Sequence, residues 1–143
     1  MDIRPYQPRD EGAIVSLWEQ CGLTRPWNDP RKDIARKLLV QPELFLVGTL
    51  DGQVIATAMA GYDGHRGWVN YLAVAPRARG RGCGRALMER VEHLLLSLGC
   101  PKVNIQVRSS NAEALGFYRA IGYAQEEMIS LGKRLIPDDG TAA

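Results

Sequence analysis

Between Val74 and Arg85 the chain reads VAPRARGRGCGR, a strand end joined to a helix start through Gly80, Gly82 and Gly84. Glycines at alternate positions let backbone N–H groups turn toward one point with no side chain in the way. A helix N-terminus adds unpaired N–H groups and the positive end of its dipole. Arg77, Arg79, Arg81 and Arg85 stand between Pro76 and Met88 with no acidic residue among them, so the local field also favours an anion. A phosphate or pyrophosphate is the expected guest. Two common cradles are excluded by spacing. No Lys-Ser or Lys-Thr pair follows Gly84, as a P-loop requires, and Leu87 occupies the place of the third glycine in a dinucleotide fingerprint.

The rest of the pattern supplies a mixed α/β frame. Asp2 to Gln7 reads as an opening strand, and Asp10 as the cap of a helix through Cys21 that buries Ile14, Leu17, Trp18 and Cys21. After the loop LTRPWNDP, a second helix over 31–40 turns Ile34, Leu38 and Leu39 inward. Leu44 to Leu50 and Gln53 to Tyr62 are strands joined by Asp51-Gly52, a two-residue hairpin pattern, and the tip YDGHRG leads to a third strand, Trp68 to Val74. A helix over 82–98 carries Leu87, Val91, Leu94, Leu95 and Leu98 on one face. A strand at Val103 to Val107, a short helix capped by Asn111 and a final strand over 129–135 complete the order βααβββαβαβ. The expected fold is α/β (α+β mixed), with helices flanking a central, mostly antiparallel twisted sheet.

At 143 residues, one domain over 1–143 is expected, with 136–143 as a frayed polar tail. The first residues lack the apolar run of a secretory signal, and the longest apolar run, Val54 to Tyr62, is too short for a bilayer, so a cytoplasmic protein with no membrane partner is expected. Cys21, Cys83 and Cys100 form no CxxC pair, and His65 and His93 are the two histidines; this is neither a disulfide framework nor a metal site. A net charge of +2, with no aromatic residues interleaved among the arginines, argues against nucleic acid.

Arg79, Gly82 and Gly84 match the R/QxxGxG/A signature of the GNAT superfamily of N-acetyltransferases, and the chain resembles that family beyond the signature. NAEALGFYRAIGY, Asn111 to Tyr123, is similar to its second signature, and the strand YLAV precedes the glycines as it does there. RPWNDP, GYDGHRG and LGKRL are further similar to strings of the small bacterial subfamily labelled YpeA. The resemblance implies the GNAT acyl-CoA N-acyltransferase fold, acetyl-CoA (coenzyme A) as cosubstrate without a metal, and an amine acceptor attacked directly in a ternary complex. It also implies that the backbone of Leu72, Ala73 and Val74 holds the pantetheine arm, that Arg79, Gly80, Arg81, Gly82, Cys83, Gly84 and Arg85 hold the pyrophosphate, and that Asn111 and Tyr118 contact the coenzyme. Members of this family often pair through edge strands, which makes a homodimer compatible.

Acetyl transfer needs a neutral amine and a protonated leaving sulfur. Tyr118 matches the family's tyrosine acid; its other reading is a core aromatic beside Ala114 and Ile121. The base is less defined. Gln106 stands where some relatives carry Glu, and Trp68 to Val74 holds no carboxylate. His65, Asp63, Asp29 and Glu43 remain, and His65 is preferred because an imidazole titrates near working pH. His93, between Glu89 and Ser97 on a polar face, is set aside, and Cys83 reads as a small filler under the turn rather than a nucleophile. Arg25, Trp27, Asn28, Asp29 and Asp63 gather on loops as candidate acceptor contacts. The acidic ones suit a cationic amine, Arg25 and Arg66 a carboxylate, and Trp27 either a lid or a core plug. A module that senses coenzyme A or a nucleotide without catalysis is the alternative.

Overall fold

Asp51 and Gly52 reverse the chain with φ of 52° and 76°, the left-handed pair that a tight hairpin of right-twisted strands requires. Around that hairpin a computed structural model, which describes residues 1–139, places nine α-helices and β-strands, besides three single-turn 3-10 helices. They are β1 (Asp2–Pro5), α1 (Glu11–Gln20), α2 (Pro30–Lys37), β2 (Phe45–Leu50), β3 (Gln53–Tyr62), β4 (Gly67–Val74), α3 (Cys83–Ser97), β5 (Val103–Asn104) and α4 (Ala112–Ala120). The sheet order is β1-β2-β3-β4-β5. The first four strands are antiparallel neighbours, and β5 runs parallel to β4 after the α3 crossover.

The middle strands are buried over nearly their whole length, β2 from Phe45 to Thr49 and β3 from Ile55 to Ala60. Both α1 and α3 pack on β3 and β4. Ile14, Leu17 and Trp18 of α1, with Leu87, Met88, Val91 and Leu95 of α3, close the core. This is the expected mixed α/β sheet flanked by helices.

Two irregularities shape the site. Pairing of β4 with β5 stops at Trp68 and Asn104, so β4 continues to Val74 without a neighbour on that side. Thr57 pairs with Ala73 but Met59 pairs with Asn70, so one residue of β3 faces two of β4, Tyr71 and Leu72. That bulge sets Tyr71 at φ 52°.

Several local expectations are corrected. Asp10 does not cap α1 through its side chain; Arg4 grips it with two bonds of 2.7 and 2.9 Å, and Gln7 N–H donates to it at 2.8 Å, because an ion pair with a nearby guanidinium outcompetes a cap. The second helix ends at Lys37, which leaves Leu38 half-exposed and Leu39 86 % exposed while Ile34 is buried. Leu98 lies past the end of α3 and is exposed.

The final strand over 129–135 is absent. Glu126 bonds to Lys102 and Asn104, and Ser130 accepts from Gln106 at 2.6 Å, so side chains rather than a backbone ladder hold this segment beside β5. Met128, Ile129, Leu131, Leu135 and Ile136 stay exposed. The tail is also not frayed at Asp138, whose side chain is 1 % exposed and accepts from Asp29 N–H at 2.9 Å and Arg36 at 2.6 Å. The tail's last residues, 140–143, lie outside the described ones.

Candidate active site

The first turn of α3 follows from the glycines. Gly80 and Gly82 both adopt φ of 78°, a region where a side chain is strained, and a Cβ at either would meet open space. The turn therefore presents bare backbone. Among the described residues, no N–H from Gly80 to Arg85 is given to a backbone carbonyl; the first such bond runs from Ala86 N–H to Gly82 O at 3.0 Å. Six successive donors thus remain free at the positive end of a fifteen-residue helix with no acid in its first turn.

The four arginines divide their work. Arg79 folds back, donating to Val74 O at 3.2 Å and approaching Cys21 Sγ at 3.6 Å, so it braces the strand end. Arg77 reaches Gln53, and Arg85 reaches Ala120 O at 3.5 Å, which ties α3 to α4. Arg81 is exposed and has no hydrogen bond or ion pair among the described residues. Cys83 is buried beneath the turn.

β4 leads into this turn with one edge open. Ala75 N–H donates to Ile55 O at 2.7 Å, and the alternation of an antiparallel ladder then gives the backbone groups of Ala73 to Thr57 and turns those of Leu72 and Val74 to the open side. Of Leu72, Ala73 and Val74, Ala73 turns its backbone groups to β3 instead.

α4 closes the other wall. Asn111 caps it, accepting from Ala114 N–H at 3.1 Å, and Tyr123 at its far end donates to Glu92 of α3 at 2.6 Å. Phe117 packs so tightly on α3 that a Cβ at Gly84 would lie 3.1 Å from its ring. Tyr118 meets Phe117 edge-on at 5.1 Å and Tyr123 at 5.8 Å. Its hydroxyl has no hydrogen-bond partner among the described residues, and burial pushes the phenol up to about 12, so it carries its proton throughout the neutral range. Phe117 takes the packing role and leaves Tyr118 with an unused donor.

The expected acceptor contacts are mostly engaged in local structure. Arg25 donates to Gly22 O and Thr24 O at 2.7 and 2.8 Å. Asn28 accepts from Arg134, while Asp29 caps α2 by accepting from Arg31 N–H at 2.9 Å. Asp63 closes its own turn, accepting from the N–H groups of Arg66 and His65 at 2.7 and 2.8 Å and from Trp68 Nε1 at 3.2 Å, and those bonds hold its carboxyl below the usual range. His65 is exposed on that turn, separated from the glycine turn by all eight residues of β4, roughly 23 Å at strand rise. Trp27, 54 % exposed, lies over the surface and does not plug the core.

One pair that sequence reasoning missed lies closer to the open edge. Tyr71 Oη donates to Asp33 Oδ2 of α2 at 2.6 Å. Burial, with Asp33 beside it, raises the Tyr71 phenol. Tyr71 stacks on Trp18 with centroids 3.7 Å apart, and Thr57 Oγ1 accepts from Trp18 Nε1 at 2.9 Å while donating to Tyr71 O at 2.8 Å. Thirty-eight residues separate Tyr71 from Asp33, so no local pattern could announce the pair.

Solved acetyltransferases share this mixed sheet with its flanking helices. The model of the acetyltransferase (GNAT) family matches residues 12–123, and this chain belongs to that family. It is 50 % identical over 138 residues to acetyltransferase YE1169 of Yersinia enterocolitica, covering 96 % of this chain and 98 % of that protein. Ard1 of Thermoplasma volcanium superposes with a TM-score of 0.71 at 29 % identity, covering 86 % of this chain and 82 % of that one. AAC(6')-Iy, solved with a bisubstrate analogue, CoA-S-monomethyl-acetylneamine, shares the fold with a TM-score of 0.76 at 20 % identity, covering 93 % and 97 %. The protein is an acetyl-transferring acyltransferase.

Proposed function

We propose that the protein moves the acetyl group of acetyl-CoA to a primary amine by direct attack in a ternary complex, with Tyr118 as the proton donor. The observation that carries this is the run of six unshared N–H groups from Gly80 to Arg85, continuous with the unpaired edge of β4. The residues fit the coenzyme: the cradle is bare backbone that a side chain at Gly80 or Gly82 would fill, and Arg81 beside it is a cation without a partner among the described residues. Acetyl-CoA, when bound, supplies the activated thioester carbonyl. Gly82, Cys83, Gly84 and Arg85 would bind its pyrophosphate through N–H donors, with Gly80 and Arg81 completing the turn. Leu72 and the N–H of Val74 offer backbone groups that an extended arm can pair with, as an added strand does, while the Val74 carbonyl is held by Arg79.

Tyr118 serves because its hydroxyl is protonated at neutral pH and has no partner among the described residues, so it can hydrogen-bond the sulfur as negative charge develops there and hand over its proton as the C–S bond breaks. Asn111 caps α4, the helix that carries Tyr118. Arg25, Trp27, Asn28 and Asp29, on the loop before α2, form the outer rim through which an acceptor would enter, and the YpeA-like string RPWNDP is that loop, while GYDGHRG is the β3–β4 hairpin. His65 stays on the far hairpin, which makes it a rim group rather than a base at the reacting centre. A cytoplasmic location accords with such a donor.

Thermal stabilisation by acetyl-CoA, followed by thiol release over an amine panel, tests the assignment. A melting temperature unmoved by millimolar acetyl-CoA would sink it. Tight coenzyme binding with no turnover on any amine would favour the sensing module.

A further inference from the structure

Each transfer leaves one proton on the attacking nitrogen that must go somewhere, and β4 contributes no carboxylate to receive it. The proposed function makes this a requirement, and the inference here rests on that reading. We infer that Tyr71 and Asp33 form the proton-accepting arm of the acceptor side, with Tyr71 Oη receiving a proton from the attacking amine while its own passes to Asp33 Oδ2.

The geometry is specific to this pair. Tyr71 lies on the bulge, three residues past the point where β4 loses β5 as a neighbour, so its backbone belongs to the stretch of β4 whose edge is open. It is fixed by the Trp18 stack, by the Thr57 bond to its carbonyl and by the 2.6 Å bond to Asp33. Trp18 and Thr57 are positioning residues in this scheme. Arg36 Nη1 stands 3.4 Å from Asp33 Oδ1, which leaves Oδ2 to the phenol. The Asp33 side chain is 24 % exposed, so a proton that reaches it can pass to water.

The timing of the proton decides the chemistry. An alkylammonium with pKa ~10.4 would not yield its proton to a carboxylate, so the amine enters neutral. Its nitrogen becomes acidic as the C–N bond forms and charge builds on it. At that point Tyr71 Oη accepts the N–H proton and releases its own to Asp33. The C–S bond breaks with its electron pair on sulfur, which takes the Tyr118 proton. Asp33 then gives a proton to water and Tyr118 regains one, so nothing is left unbalanced. A pair that only fastened α2 to the sheet would show none of this.

The test uses the full chain and a probe that needs no knowledge of the acceptor: coenzyme A whose sulfur is joined through CH2–C(O)–NH to an n-butyl group. Its amide nitrogen stands for the attacking one. Calorimetry compares the probe with coenzyme A alone. Tyr71→Phe, which keeps the ring and its stack, is expected to weaken the probe about 3- to 10-fold, the loss of one hydrogen bond, and to leave coenzyme A within two-fold. Asp33→Asn keeps an acceptor for the phenol; it should bind the probe like the wild type yet lose on the order of 100-fold in turnover on the best amine of the panel. Probe affinity and turnover unchanged in Tyr71→Phe, or turnover unchanged in Asp33→Asn, would overturn the arm. A wild type that binds neither coenzyme A nor the probe would instead overturn the proposed function first.

Discussion

Gly84 and Phe117 are in such close contact that a single methyl group cannot be placed between them without movement: a Cβ at Gly84 would sit 3.1 Å from two ring carbons and 3.7 Å from Val74 Cγ2. Gly84→Ala should therefore cost about 1–3 kcal/mol as an overpacked contact and push α4 away from α3. Urea denaturation reads the first effect. Weaker acetyl-CoA binding, from a displaced Tyr118, reads the second. An alanine variant as stable as the wild type would show that the helices slide freely.

Gly82 presents the opposite case, because space is open and only the backbone restricts it. Gly82→Asp tolerates the left-handed conformation at a strain of order 1 kcal/mol, since Asp is among the residues that visit it. It sets a negative charge against the free donors. The expected outcome is a folded protein without measurable acetyl-CoA binding by calorimetry, and retained affinity would count heavily against the cradle.

Thr57 is fully buried and uses its hydroxyl twice, accepting from Trp18 and donating to Tyr71 O. Thr57→Val keeps the shape and leaves a buried indole N–H without its acceptor. A loss of about 1–3 kcal/mol is expected. If the bulge depends on this bond, the variant's Tyr71 resonances will also broaden in NMR spectra.

Asp138 gives a pH signature. Arg36 first, then the Asp29 N–H, lowers its carboxyl from the ordinary 3.8 to about 2. A depressed carboxylate contributes stability that is fully present above about pH 4 and disappears as pH falls through about 2. Asp138→Asn should be less stable than the wild type at pH 6, and the difference should shrink over that acid window. Denaturant midpoints at pH 6, 4 and 2.5 measure it; a gap that stays constant would mean the contact is not ionic.

Tyr118→Phe removes the one hydroxyl of α4 without a partner. Turnover should fall by about 10²-fold or more while acetyl-CoA affinity holds. Because the phenol lies near 12, wild-type activity should show no alkaline decline from this group below about pH 10.

Much of this molecule could be read before any coordinates. The Asp51-Gly52 hairpin, the glycine turn and the Asn111 cap are short-range features, each fixed by two to four adjacent residues, and all form as expected. What failed depended on competition at a distance. Arg4 took the carboxylate that was to cap α1. Residues 129–135 alternate like a strand, but Gln106 meets Ser130 through side chains and Asn104 spends its amide on Glu126 before the segment begins, so the backbone stays outside the ladder. The Tyr71–Asp33 pair joins two elements whose approach is set by how Trp18 fills the sheet, and helical or strand periodicity carries no trace of it.

The early end of the β4–β5 ladder has one more implication. Under the proposed reading, the donor is gripped by main chain, which every amino-acid sequence possesses alike, so recognition of the carrier asks almost nothing of side-chain identity along β4. Rim loops are then at liberty to drift toward new acceptors while the grip on the carrier persists. A scaffold wired this way can diversify its customers without renegotiating its fuel.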